Sequence, residues 1–267
     1  MSSAPLAALR RALTSPRASR LTATLLLASL VTGCAGGTTP TTGGAAAGTG
    51  ADNDNQAAVG APQSPLLPSA FFADGGERFS AWRCTPSQNL VTTMPDAKRL
   101  RLWTALGSTE LQRAVAADGD RYVLGGVAFE RHGRDARVES DHGQLVCALA
   151  SERATATRQA HPQSIFYASG NEPGWNVSLD RQTTTLTLVS DYGQATDTFR
   201  YRVASVKNGS DARMVLVSDS GRQPLEMDLR AGACFDDMSG QPWPVKVTLR
   251  YGRHEWQGCG QGVEAKR

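Results

Sequence analysis

Cysteines and histidines are the residues of this chain whose types could do nucleophilic or metal chemistry. None of the four histidines lies within a nucleophile or metal motif, and the sequence has no G-x-S-x-G, phosphate-loop or H-E-x-x-H pattern. A Ser-His-Asp triad is assembled only by the fold, so spacing alone leaves that possibility open. An enzyme is therefore the function that these residues favour least, and neither a catalytic residue nor a cofactor is predicted. The histidines are His132, His142, His161 and His254.

Four of the five cysteines can be paired. An even number of cysteines in an exported chain suggests disulfides, and four allow three pairings. Sequential pairing, Cys84–Cys147 and Cys234–Cys259, closes one loop inside each half of the chain and is the pairing we predict. A zinc site is the competing interpretation, but there is no C-x-x-C and no histidine pair at ligand spacing. No metal is predicted.

The fifth cysteine, Cys34, follows a basic segment, an apolar run and small residues, which is the pattern of a secretory signal. The apolar run over 21–33 is shorter than the roughly 20 residues that a transmembrane helix needs. The sequence therefore predicts a signal peptide over residues 1–33.

The ending Val31-Thr32-Gly33-Cys34 resembles the lipobox of bacterial lipoproteins, which implies a lipidated Cys34 and a membrane anchor. Ala35 and Gly36 follow, without the aspartate that commonly retains lipoproteins at the inner membrane. We therefore expect an outer-membrane lipoprotein with periplasmic domains. The alternative is an ordinary signal in which Cys34 is incidental.

The net charge of +3 is misleading because four of the 28 Lys and Arg residues lie in the signal, which has no acidic residue. The remaining 24 basic residues face 25 acidic ones, a balance of −1. A chain with this balance lacks the overall basic character typical of nucleic-acid binding. No nucleic-acid partner is expected.

Composition and patterning divide the rest of the chain into a linker and two domains. Residues 34–68 are rich in Gly, Ala, Thr, Asn and Pro, so we expect a disordered linker. Short alternating runs separated by Gly and Asp predict antiparallel strands over 69–150 and again over 164–262. The polar segment 151–163 is predicted to link them. The expected fold class is all-β, with two small antiparallel β-barrel or sandwich domains.

The first domain carries a recognisable order of residues around Asp118-Gly119-Asp120-Arg121-Tyr122 and the segment 127–138. With Trp82-Arg83-Cys84 upstream and Cys147 downstream, residues 79–149 resemble the membrane-bound inhibitors of c-type lysozyme (the MliC/PliC family). The resemblance implies a small antiparallel barrel closed by the Cys84–Cys147 disulfide. It also implies a c-type lysozyme as partner, with the enzyme's cleft occluded by loops of the barrel. The matching positions are Gly119, Tyr122, Phe129, Gly133 and Ala136.

The family's contact residues are changed in this chain. A serine and a lysine of the family pattern, which enter the lysozyme cleft, are replaced by Asp118 and His132, and Glu130 stands in place of a tryptophan. An aspartate facing the catalytic carboxylates would repel them. The alternative is that Tyr122 and Phe129 are core residues and that positions 118 and 132 are plain turn residues. The candidate contact residues are Asp118, Arg121, Tyr122, Arg131 and His132.

The second domain contains G-N-E-P-x-W at residues 170–175 and C-x-D-x-M-S-G at 234–240, followed by Gly258-Cys259. This combination resembles a small β domain of bacterial envelope proteins whose function is uncharacterised. Glu172 and Trp175 could form a ligand-contact pair, or Glu172 could lie in a turn with Trp175 in the core. Asp236 and Asp237 could bind a cation, or they could begin a turn.

Two functions follow from these patterns. The first is an envelope lipoprotein that inhibits c-type lysozyme by occluding the enzyme's cleft. The second is a structural or ligand-binding envelope module without inhibitor activity, which the replaced serine and lysine favour.

Overall fold

The computed structural model describes residues 65–265. The predicted signal, Cys34 with its predicted lipid, and the linker up to residue 64 lie outside the described residues. Within residues 65–265 no helix is long and apolar enough to cross a membrane. Strands and two short 3-10 helices, Ser69–Phe71 and Asp191–Gly193, make up the regular structure of the described chain, which confirms the all-β fold class.

The first eight strands form a closed antiparallel barrel in which β1 also pairs with β8. Short turns such as Gly125-Gly126 and Gly133-Arg134 join neighbouring strands, as expected for antiparallel hairpins. The strands are β1 (Arg78–Thr85), β2 (Gln88–Asp96), β3 (Arg99–Thr104), β4 (Gly107–Ala114), β5 (Asp120–Leu124), β6 (Val127–His132), β7 (Asp135–Ser140) and β8 (Gly143–Ala154).

Alternate residues of these strands fill the interior of the first barrel, because successive side chains of a strand point to opposite faces. The Trp82 ring packs edge-on against Phe129 with 5.6 Å between ring centroids. The indole Nε1 of Trp82 donates a hydrogen bond of 2.8 Å to Thr92 Oγ1, so the polar atom of this buried side chain is satisfied. Other interior side chains are Leu90, Leu100, Leu102, Leu111 and Tyr122.

The remaining nine strands form one antiparallel sheet whose order is β12-β11-β10-β9-β17-β16-β15-β14-β13. Only Tyr201 separates β12 from β13, although these strands lie at opposite ends of that order. The sheet therefore curls back on itself into a nearly closed second barrel. The strands are β9 (Ser164–Asn171), β10 (Gly174–Asp180), β11 (Thr185–Ser190), β12 (Ala195–Arg200), β13 (Arg202–Lys207), β14 (Arg213–Ser218), β15 (Leu225–Phe235), β16 (Pro242–Tyr251) and β17 (His254–Gly262).

The core of the second barrel includes a segment that precedes the first barrel in the sequence. Leu67 and Phe71 are buried in the same cluster as Phe166, and the rings of Phe71 and Phe166 lie 6.1 Å apart. Leu67 falls inside the predicted linker 34–68, and Phe71 falls inside the predicted first domain. The structure differs from both predictions because a short apolar segment beside a polar linker shows no periodicity that would reveal its distant partner.

Strand β8 runs beyond the predicted end of the first domain at residue 150. Ser151 to Ala154 continue the strand and pair with the beginning of β1, so part of the predicted linker 151–163 is regular structure. Polar residues occupy this strand end because its side chains face solvent or the second barrel. The polarity of the segment, which suggested a linker, comes from that position.

The two barrels meet through a separate apolar cluster. Phe79, Val91 and Trp103 from the outer face of the first barrel pack with Ala73 and with Ala233 of β15. The indole Nε1 of Trp103 donates a 2.9 Å hydrogen bond to the Ala70 carbonyl. This cluster joins the two barrels within one compact unit.

Both predicted disulfides are confirmed. Cys84 is joined to Cys147 inside the first barrel, and Cys234 to Cys259 between β15 and β17 of the second. Cys84 and Cys147 lie opposite each other where β1 pairs with β8, so this disulfide lies at the closure of the barrel.

Candidate functional site

One end of the first barrel carries the loops that the sequence singled out. Because antiparallel strands alternate in direction, the β2–β3 turn, the β4–β5 loop and the β6–β7 turn lie at the same end. A cavity of about 510 Å³ opens there, with Trp82, Leu100 and Phe129 at its floor. Charged side chains around its rim are Glu77, Arg78, Asp96, Arg131 and Glu152. An apolar floor with a few polar groups at the rim is typical of ligand sites in barrel mouths.

The structure brings Asp118 and His132 together from two different loops. His132 Nδ1 lies 3.5 Å from Asp118 Oδ2, and His132 Nε2 lies 3.8 Å from Glu130 Oε1. The Asp118 side chain is 91% exposed and that of His132 is 47% exposed. The imidazole therefore stands between two carboxylates on an open surface.

Gly119 makes the close approach of these two loops possible. Its φ is +71°, a backbone conformation that glycine adopts without steric cost. A Cβ at this position would lie 2.4 Å from the Arg131 carbonyl oxygen and 2.8 Å from His132 Nδ1. The glycine of the predicted motif thus has a steric role, and it sets the distance between Asp118 and His132.

Arg131 points the other way, into the mouth of the barrel. It lies two residues after Phe129 on β6, so both side chains share the inner face. Its Nη2 lies 2.6 Å from Asp120 Oδ2, and Arg113 Nη2 lies 2.9 Å from Asp120 Oδ1. The hydrogen bond from Arg131 lowers the pKa of the Asp120 carboxyl below its usual value of 3.8. The guanidinium of Arg131 is therefore already paired.

Acid should weaken the first barrel through Asp120, and the Asp120→Asn variant should lose this part of the pH dependence. Because the pKa of this carboxyl is lower in the folded chain than in the unfolded one, its stabilisation is complete above about pH 4 and disappears as pH falls through the folded pKa. On acidification the natural chain should lose about 1–2 kcal/mol of its free energy of unfolding through this carboxyl, and the Asp120→Asn chain should not show that loss. Urea unfolding of both chains from about pH 6 down to about pH 2.5 measures it. Equal acid losses in the two chains would contradict this assignment.

Arg121 and Tyr122 do not present free groups on this surface. Arg121 Nη1 lies 3.5 Å from Glu130 Oε2 on the outer face of the barrel. Tyr122 is fully buried in the barrel interior, and its hydroxyl contacts the Met94 sulfur at 4.0 Å. Burial raises the pKa of this phenol. Tyr122 was predicted as a lysozyme-contact candidate, with a core position as the alternative, and the inward face of β5 places its ring in the core.

Sequence reasoning missed the rim residues Arg78, Asp96 and Glu152. They come from β1, β2 and β8, and nothing local marks them as neighbours. Glu152 Oε1 accepts a 3.0 Å hydrogen bond from Ser80 Oγ, and Arg78 Nη1 lies 3.5 Å from Glu152 Oε2. The pairing of β1 with β8 brings Arg78 and Glu152 to the same opening, and the pairing of β1 with β2 adds Asp96.

The motifs of the second domain come together in the fold. Asn171 Nδ2 donates a 2.8 Å hydrogen bond to Asp236 Oδ2, and Asp236 Oδ1 accepts bonds of 2.7 and 2.6 Å from the Ser239 amide and hydroxyl. Asp236 thus organises a turn, as one of the two interpretations held. Trp175 is buried in the core and Glu172 is exposed, so they do not form the alternative ligand-contact pair.

Residues 65–265 hold no group of three or more His, Cys, Asp or Glu side chains arranged to bind a metal ion. The mouth of the first barrel carries exposed loops, paired charges and an apolar floor. No protein-family model matches the chain, and no curated protein matches it.

Proposed function

We propose that this protein is a lipid-anchored protein of the bacterial envelope whose first barrel binds c-type lysozyme and occludes its cleft. The observation that carries the proposal is the position of the β4–β5 loop and the β6–β7 turn, which correspond to the contact loops of the resembled family and lie side by side, exposed, at one end of the barrel. The closed barrel with its internal Cys84–Cys147 disulfide supports the resemblance on which the proposal rests. Cys34 would hold the chain at the outer membrane, with the barrels in the periplasm.

The charges on this rim determine how strongly it can enter an acidic cleft. His132 offers a cation only when protonated, whereas a lysine would offer one at any physiological pH. Asp118 and Glu130 both lie within 4 Å of that imidazole. Their carboxylates oppose the approach of two further carboxylates in a lysozyme cleft. These two carboxylates therefore weaken binding to a lysozyme cleft.

A second candidate is a ligand-binding or structural envelope module without inhibitor activity. The burial of Tyr122 and the pairing of Arg121 and Arg131 with carboxylates favour it, because none of these three side chains presents an unpaired group to the lysozyme cleft. Under this alternative the cavity at the barrel mouth, with its apolar floor, is the binding site.

The two candidates are distinguished by the variant Asp118→Ser with His132→Lys. It removes a repelling carboxylate and supplies a permanent cation, and a close like-charge contact is worth on the order of 1–3 kcal/mol. We expect inhibition of lysozyme to tighten by roughly tenfold at about pH 7.5. The measurement is a turbidity assay with c-type lysozyme.

The control is Asp141→Ser with His142→Lys, which makes the same exchange in the β7–β8 turn at the opposite end of the barrel. It should leave inhibition unchanged. If neither the natural chain nor the first variant inhibits lysozyme, the second candidate holds.

The membrane anchor is tested by preparing the protein with Cys34 and as the Cys34→Ala variant. The variant should be released from the membrane fraction, and a Cys34→Ala chain that stays in that fraction would contradict the anchor.

A further inference from the structure

Four basic residues form a row across the outer face of the second barrel. Lys207 of β13 faces Arg213 of β14, Arg213 faces Arg230 of β15, and Arg230 faces Lys246 of β16. Residues directly opposite each other in neighbouring strands project from the same face, and all four are exposed. With strands about 4.8 Å apart, the row spans about 14 Å. We call this row the basic ladder.

The basic ladder carries more positive charge than its acidic neighbours balance. Asp228 is buried under Arg213 and Arg230 and accepts hydrogen bonds from both guanidinium groups at 2.8–3.0 Å. Asp211 pairs with Lys207. Within residues 65–265 Lys246 forms no ion pair, and its Nζ lies 3.4 Å from the Ala105 carbonyl oxygen. Facing like charges are unfavourable, so four cations against two carboxylates leave a surface that attracts anions.

The basic ladder leads into a groove on this barrel with a volume of about 710 Å³. Arg230 and Lys246 line the groove at the end of the ladder. Neutral polar side chains on β9, β16 and β17 form its floor, and they offer hydroxyl and amide groups. These floor residues are Ser169, Thr248 and Gln257.

The far wall of this groove is acidic. Asp236 and Asp237 stand there, and Asp236 is already bound to Ser239 and Asn171. Register is shifted between Ala231 and Cys234, so a bulge in β15 precedes this wall. The groove is therefore polarised: Arg230 and Lys246 lie at one end with Asp228 beneath Arg230, two carboxylates lie at the other end, and uncharged hydrogen-bonding groups lie between them.

We propose that the basic ladder and this groove bind an acidic oligosaccharide. Its anionic substituents lie over Arg230 and Lys246 and continue along the ladder, and its hydroxyl groups bind the floor. A flat anionic membrane would meet the ladder but could not reach the neutral polar floor of a concave groove. The site lies on the second barrel, so it goes beyond the proposed lysozyme binding and does not depend on it.

The test measures binding of a galacturonate hexamer by titration calorimetry on the full chain, with an uncharged N-acetylglucosamine hexamer beside it. We expect the acidic hexamer to bind and the uncharged one to bind more weakly. Salt near 1 M should abolish the difference, because the Debye length is then about 3 Å. The Lys207→Gln, Lys246→Gln variant keeps both guanidinium groups on Asp228 and should bind up to about tenfold more weakly.

The matched control is Arg181→Gln with Arg253→Gln, which removes two exposed cations outside the basic ladder and should bind as the natural chain does. The proposal is overturned by equal affinity for both hexamers, by absent binding of the acidic one, or by a lysine variant that binds unchanged. Binding to vesicles of anionic phospholipid without binding to the hexamer would also overturn it. Lysozyme inhibition by these variants stays as in the natural chain, so the two proposals fail separately.

Discussion

Replacing Cys84 and Cys147 together by alanine should lower the free energy of unfolding by about 4 kcal/mol, the largest effect expected of any change described for this protein. The two cysteines are 63 residues apart, and a cross-link over a long loop removes much of the conformational entropy of the unfolded chain. The sulfurs also fill part of the barrel interior, where both cysteines are buried. Alanine leaves that volume empty, which adds to the loss.

Urea unfolding of the natural and substituted chains measures this loss. The comparison variant removes Cys234 and Cys259, whose separation is 25 residues, and the same loop-closure relation gives about 3.5 kcal/mol for it. The first barrel should therefore lose more than the second. A substituted chain that unfolds at the same urea concentration as the natural one would show that strand pairing between β1 and β8 alone closes the barrel.

Replacing Arg153 by alanine should cost about 2–4 kcal/mol, although the residue is neither in a barrel core nor in an ion pair among the described residues. Its guanidinium lies over the Trp243 ring at 3.6 Å and 5.3 Å from the Phe79 ring centroid. Arg153 Nε donates a 2.9 Å hydrogen bond to the Pro242 carbonyl, and Nη2 donates one to Gln261 Oε1. Burial lowers the pKa of this guanidinium, so enclosing its charge has a cost that these contacts offset.

Alanine at this position would leave the Pro242 carbonyl and the buried Gln261 amide oxygen without their donor, at the junction of the two barrels. Thermal and urea unfolding of the Arg153→Ala chain measure the loss. Arg83→Ala is the control, because Arg83 is an exposed arginine of β1 in the same barrel, and it should change stability by less than about 0.5 kcal/mol. Equal effects of the two substitutions would show that Arg153 does not help to join the barrels.

The strand pattern and the disulfides could be predicted because both depend on local or countable features. Alternation along Leu186-Thr187-Leu188-Val189 marks a half-buried strand wherever that strand pairs, and the structure has β11 there. The cysteine pairing followed from one even pair in each β-rich half. Neither inference required knowledge of which strands are neighbours.

The features that could not be predicted depend on pairing between distant strands. Phe71 shows no sign in the sequence that it packs on Phe166, and Arg153 shows none that it meets Trp243. Tyr122 lay in a motif associated with an exposed loop, yet the inward face of β5 buried it. The four residues of the basic ladder lie on four strands, and only their register aligns them.

The path of the chain between the barrels makes the first barrel an insertion into the second. Leu67 and Phe71, near the start of the described residues, lie in the core of the second barrel. The Asp74 amide donates a 2.9 Å hydrogen bond to Glu264 Oε1, near the last of the described residues. The chain enters the first barrel after Glu77 and leaves it at Thr155. The Thr155 amide donates a 2.9 Å hydrogen bond to the Glu77 carbonyl. Entry and exit of the insertion therefore lie side by side. Because entry and exit are adjacent, changes in the length of the hairpin turns within 78–154 need not displace the points where the chain enters and leaves the first barrel.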